Sequence, residues 1–146
     1  MFDYLKGKIE YVGKDFVCLN VNNLGFRLYV PNAKEFSLNE ENSFFVVDFF
    51  KEDQLNLYGF NTELELKLFN KLLTVNGVGY KTAMNLLKNA SAEEIIYNIK
   101  NKKVKELSSI FNVGNKASSI VFELENKTTF LITSFWTALI KFDIYS

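Results

Sequence analysis

The chain contains no histidine, and only one cysteine, one proline, one arginine and one tryptophan among 146 residues. Without histidine there is no imidazole to move protons near neutral pH and no His-ligated metal site, which excludes many enzyme classes at once. A lone Cys18 cannot close an internal disulfide. That fits a reducing compartment, and its place in an alternating stretch predicts a buried structural thiol. No apolar run approaches the roughly 18 residues of a membrane span, and no basic-then-apolar leader opens the chain. The expectation is a soluble, cytoplasmic protein without a membrane partner. Net charge is missing as well: 17 basic and 17 acidic residues cancel, and a pI near 6.3 by itself argues against a nucleic-acid partner.

The cancellation hides a split. Residues 1–65 carry six basic and eleven acidic side chains, a net −5, whereas residues 66–127 carry ten basic and five acidic, a net +5. Apolar content of 48% is enough for a real core in one domain or two small ones.

Two regimes of periodicity follow the same division. Residues 1–60 favour strands at Lys8–Val12, Phe16–Val21, Phe26–Val30, Phe44–Phe50 and Gln54–Tyr58, separated by turns at Gly13, at Asn22-Asn23-Leu24-Gly25 and at Pro31-Asn32. Five short strands with apolar–polar alternation suit a small closed barrel; the oligonucleotide-binding barrel is the commonest, and an SH3-like barrel fits the count nearly as well. Phe26, Tyr29, Phe44 and Phe45 read as strand packing rather than base-stacking platforms. From Glu63 the period turns helical, with Leu64, Leu66, Leu68, Phe69, Leu72 and Leu73 forming a stripe. Ser91-Ala-Glu-Glu94 is a capping box for a helix to about Ile99. A further helix reaches Ile110, and another runs from Asn115 to about Asn126. The expected class is β + α, with an N-terminal oligonucleotide-binding-type barrel over 1–61 and an all-α tandem helix–hairpin–helix domain over 62–127. Residues 128–146 form a short apolar tail without a solvated face, read as core packing or a subunit contact.

The chemistry lies in the hairpins. Val75-Asn-Gly-Val-Gly-Tyr-Lys-Thr-Ala83 joins two helical segments, and a weaker copy, Ile110-Phe-Asn-Val-Gly-Asn-Lys-Ala117, returns 35 positions later. Gly77 and Gly79 lack a Cβ, so the turn can take positive φ and a phosphate can reach main-chain N–H groups. A helix opening at Tyr80 points its free amides and positive dipole end at the same spot, and Lys81 adds a charge. Aligning the copies sets Gly77 against Asn112, Gly79 against Gly114 and Lys81 against Lys116. Such sites grip a nucleic-acid backbone without reading base edges. The G-x-x-x-x-G-K-[ST] spacing of a nucleotide-binding loop is not met, so no ATP site, cofactor or metal is expected. Glu52-Asp53 falls at a predicted hairpin tip. As adjacent carboxylates they read as a solvated turn, a poor metal site, or a spot that repels phosphates. Lys100, Lys102, Lys103 and Lys105 cluster around a helix linker and read as a solvated face. Helix–hairpin–helix units also serve DNA glycosylases and nucleases, but neither a catalytic Lys or Asp after the hairpin nor a carboxylate cluster is found. A generic DNA binder or a repair-enzyme domain is the alternative, and a single-strand binder using the barrel a further one.

Barrel, acidic tip, Leu57-Tyr-Gly-Phe60 and Val75–Ala83, in that order, resemble the RuvA family of bacterial Holliday-junction-binding subunits over residues 1–127. The resemblance implies a non-catalytic homotetramer that holds a four-way junction open in recombination and repair. It further implies a hexameric ATPase motor for branch migration and a junction resolvase as partners. It assigns Glu52 and Asp53 to an acidic pin at the crossover. DNA contacts fall to Asn76, Gly77, Val78, Gly79, Lys81 and Thr82 in the first hairpin and to Val113, Gly114, Asn115 and Lys116 in the second. Asn112 stands where the family shows glycine and Ser118 where it shows a small alanine. Residues 128–146 stand in place of the family's motor-binding domain, so junction binding is better supported than motor coupling.

Overall fold

A computed structural model describes residues 2–110 and 116–125. Its contacts divide the chain into two compact units, one of Met1–Leu66 and one beginning at Lys67.

The first unit is a closed barrel of five strands: β1 (Tyr4–Val12), β2 (Phe16–Val21), β3 (Leu24–Tyr29), β4 (Glu41–Lys51) and β5 (Gln54–Phe60). They run in the order β1-β2-β3-β5-β4, with β4 returning to β1 at Leu5↔Phe44. Every pairing is antiparallel except β3 with β5, where Leu28 faces Leu57 and Tyr29 faces Tyr58. Closure leaves no free sheet edge. This five-stranded arrangement is of the oligonucleotide-binding type, which removes the SH3-like alternative. Alternation drives the barrel: Leu5, Ile9, Val17, Leu19, Leu28, Phe44, Val46 and Leu57 point inward and are buried. Cys18 is buried, as its setting predicts.

Two differences from the sequence reading have plain causes. The turn expected over 22–25 is confined to Asn22 and Asn23, both with φ near the left-handed well (51° and 70°), while Val21 pairs with Leu24. Two consecutive positive-φ asparagines make the primed hairpin turn that matches strand twist, so Gly25 is left inside β3. Phe45, expected to pack, is 36% exposed beside a fully buried Phe44, because neighbouring residues on a strand face opposite ways.

Helix α1 (Glu63–Leu73) begins after Thr62, whose Oγ1 accepts from the Glu65 amide at 3.2 Å. The second unit continues with α2 (Tyr80–Asn89), α3 (Ala92–Lys100), α4 (Val104–Ile110) and α5 (Lys116–Leu124). Ser91 Oγ accepts from the Glu94 amide at 3.1 Å, which is the forward half of the predicted capping box. Leu68, Phe69, Leu72, Leu86, Ile95, Ile96, Ile99, Leu107, Ile120 and Leu124 are completely buried and form the helical core. At the linker, the Lys103 amide reaches back to the Asn98 carbonyl at 2.8 Å, and Lys102 turns left-handed (φ 54°) to close α3. The tail of 128–146 lies outside the described residues.

Candidate nucleic-acid interface

The first hairpin is built by two valines and two glycines with opposite tasks. Val75 and Val78 are 2% and 6% exposed and anchor the loop in the helical core, whereas Asn76, Gly77 and Gly79 face solvent. The Val78 amide donates to the Val75 carbonyl at 3.1 Å, and Gly77 between them has φ +87°. That is a type II turn, whose third position is open to glycine and few others. Gly79 differs from expectation. Its φ is −100° and ψ −177°, ordinary extended backbone, so only one of the two glycines is demanded by a left-handed conformation. Gly79 instead occupies the N-cap of α2: its carbonyl accepts from the Ala83 amide at 3.0 Å, and no side chain caps the helix. Among the described residues, a Cβ built on either glycine would meet nothing within 4 Å.

The amides therefore sort themselves. That of Val78 is spent on the turn, and that of Asn76 donates to Glu123 Oε2 of α5 at 3.3 Å. Those of Gly77, Gly79 and Lys81 have no acceptor among the described residues, and all three residues are exposed. Uncapped N–H groups at a helix start, next to an exposed lysine, form a cradle for an oxyanion.

Thr82 is buried and its Oγ1 accepts from Lys116 Nζ at 3.3 Å. Lys116, assigned by sequence to the second hairpin, thus opens α5 beside the start of α2. Val113, Gly114 and Asn115 lie outside the described residues. Of the linker lysines, Lys102 pairs with Glu125 at 3.2 Å and Lys103 lies 4.9 Å above the Tyr97 ring.

In the barrel unit, Lys51 pairs with Gln54, so β4 and β5 are joined by Glu52 and Asp53 alone. Both have positive φ (52° and 64°), again a primed two-residue turn. This geometry prefers Asn-Gly; two carboxylate side chains here are locally unfavourable, and the sequence keeps them at the protruding tip. Among the described residues no group of three or more His, Cys, Asp or Glu could hold a metal ion. No described helix is long and apolar enough to cross a membrane.

Glu123 is the residue that sequence reasoning missed. No signal in the sequence marks it: at the offset of 35 Glu123 aligns with Lys88, and the partner it finds is a backbone amide 47 residues away.

Comparison with known proteins agrees with both units. The family described as RuvA N terminal domain matches residues 1–59, and a SAM-like Helix-hairpin-helix tandem matches residues 69–126. Proteins named Holliday junction branch migration complex subunit RuvA are similar throughout this span. That of Oenococcus oeni is 36% identical over 128 residues, covering 87% of this chain and 66% of the relative. That of Limosilactobacillus fermentum is 36% identical over 130 residues, covering 87% and 65%. That of Geobacter sp. strain M21 is 36% identical over 131 residues. The chain spans just under two thirds of the length of these curated relatives. With an oligonucleotide-binding-type barrel, an acidic two-residue tip and a glycine hairpin in family order, the chain belongs to the RuvA family.

Proposed function

We propose that this chain is a non-catalytic DNA-binding subunit that holds four-way junctions open for branch migration. The observation that carries this is the first hairpin, where the open amides of Gly77, Gly79 and Lys81 stand on the half of the chain with net charge +5. Backbone amides and an ammonium recognise phosphate and carry no base information, so binding follows the shape of the DNA. Asn76 and Val78 serve by holding the loop, and Thr82 by seating Lys116. Val113, Gly114, Asn115 and Lys116 supply the second hairpin site. Glu52 and Asp53 act as the acidic pin, keeping phosphates away from the crossover by repulsion.

The finer reading follows the family. Residues 1–61 form the barrel domain and 62–127 the tandem hairpin domain. The working form is a cytoplasmic homotetramer, and the ATPase motor and resolvase are separate proteins.

The test is binding of the purified chain to a four-way junction and to a linear duplex of equal length, in EDTA at fixed moderate salt. The expected result is a strong junction preference without cleavage. Equal affinity for the two would reduce the protein to a generic hairpin-type DNA binder, tighter binding of single strands would move the site to the barrel, and metal-dependent cutting would make it an enzyme.

A further inference from the structure

Helix α5 makes two polar contacts with the first hairpin unit. Lys116 Nζ donates to Thr82 Oγ1, and Glu123 Oε2 accepts from the Asn76 amide, both at 3.3 Å. Lys116 and Glu123 are seven residues apart, two helical turns along one face of α5, separated by about 10 Å. On the other side, Asn76 and Thr82 bracket the loop that carries the open amides of Gly77 and Gly79. One contact is cationic and sits at the helix start. The other is anionic and sits at the near end of the turn, and neither occupies the cradle between them.

The geometry points to Glu123 as a positioning residue of the DNA interface. Its carboxylate fixes the Asn76 end of the first hairpin, and with Lys116 it makes α5 the strut that sets the first phosphate cradle in register with the helix that follows the second hairpin. This inference rests on the phosphate-binding reading above. Glu123 is half-buried and touches the loop through a backbone N–H, so it acts on the cradle through the loop's placement. The carboxylate keeps its negative charge when it accepts from the neutral amide, so its contribution is to place the loop and not to attract phosphate. What matters is an acceptor oxygen rather than a negative charge.

The experiment compares Glu123→Met, which keeps the length of the side chain and removes the acceptor, with Glu123→Gln, which keeps an acceptor oxygen and removes the charge. Both are made alone and combined with Gly79→Ser, which places a hydroxyl over the cradle amides. Junction affinity is read by fluorescence anisotropy and folding by thermal melting. Glu123→Met should weaken junction binding threefold to tenfold, on the order of one ordinary hydrogen bond. Glu123→Gln should restore it. In the Gly79→Ser background Glu123→Met should cost nothing further, because the cradle it positions is already blocked. The inference is overturned if Glu123→Gln falls as far as Glu123→Met, if Glu123→Met binds like the parent, or if its loss persists in full beside Gly79→Ser. Failure of the underlying reading looks different: Gly79→Ser and Lys81→Ala would then both leave binding untouched, whatever Glu123 does.

Discussion

The two glycines of the first hairpin look alike in sequence and should respond oppositely to substitution. Gly77 sits at φ +87° with open space around it, so Gly77→Ala brings no clash and pays only for the left-handed backbone, about 1–2 kcal/mol. In a unit of this size each kcal/mol lowers the melting temperature by roughly 4–8 °C. Gly79 sits in extended backbone at the N-cap of α2, also in open space. Serine there carries no strain and can accept from an amide of the first turn, so Gly79→Ser should leave stability unchanged or raise it by a few tenths of a kcal/mol. The same hydrogen bond occupies a donor that a phosphate would use, and a bond to a charged group is worth about 1.5–3 kcal/mol. Gly79→Ser should therefore lose at least roughly tenfold in junction affinity for each donor blocked. The slope of affinity against salt should stay the same, since no protein charge has gone. Lys81→Ala is the complement: its slope should fall by about 0.9 for a duplex-like contact. Thermal melting and salt-titrated anisotropy separate the outcomes. If Gly79→Ser binds as the parent does, the amides of this loop do not hold phosphate. If Gly77→Ala melts with the parent, the turn is not the one described.

Replacing Glu52-Asp53 by Asn-Gly installs the preferred pair for a primed turn, and the barrel should melt at a higher temperature. Junction affinity should not fall, because a repulsive charge pair has been removed; a marked loss of binding would give these carboxylates a direct or structural role. The Cys18 thiol is pushed up by burial, reinforced by the Glu10 carboxylate and only partly opposed by Arg27. The folded state therefore holds the thiol proton more tightly than the unfolded chain. That contribution is complete below the unfolded thiol pKa and is lost as pH rises through the higher folded value, so stability should decline on the alkaline side. Labelling with a thiol reagent at neutral pH should be slow until denaturant is added, and rapid labelling of the native protein would refute the burial.

What the sequence made legible was whatever local chemistry decides. The apolar run at Phe16–Val21 and the stripe at Leu64–Leu73 placed a strand and a helix because each segment must bury its apolar side chains. Ser91 announced its helix because an uncapped N-terminus leaves donors that a hydroxyl satisfies. Gly77-Val-Gly79 announced a loop, yet not which glycine would be left-handed. That choice is made by Val75 and Val78, whose burial folds the backbone into a type II turn and leaves Gly79 to start the helix. Lys116 was assigned to its own hairpin because sequence distance hides the neighbour it finds 34 residues earlier. Glu123 was invisible for the same reason, its partner being a backbone amide 47 residues away.

The charge split acquires a physical meaning from these placements. A uniformly basic protein would bind any duplex, since counterion release rewards every phosphate it touches. Here the cationic half offers a small set of fixed donors, while the unit carrying the two-residue acidic turn has a net −5. Under the proposed function, attraction is limited to the hairpins, and the tip at Glu52 and Asp53 disfavours any backbone brought up to it. A DNA whose strands part and leave that spot empty avoids the penalty, whereas a continuous duplex laid across it does not. Discrimination of this kind needs no base contact, and it predicts that neutralising the tip should narrow the preference for junction over duplex by improving duplex binding more than junction binding.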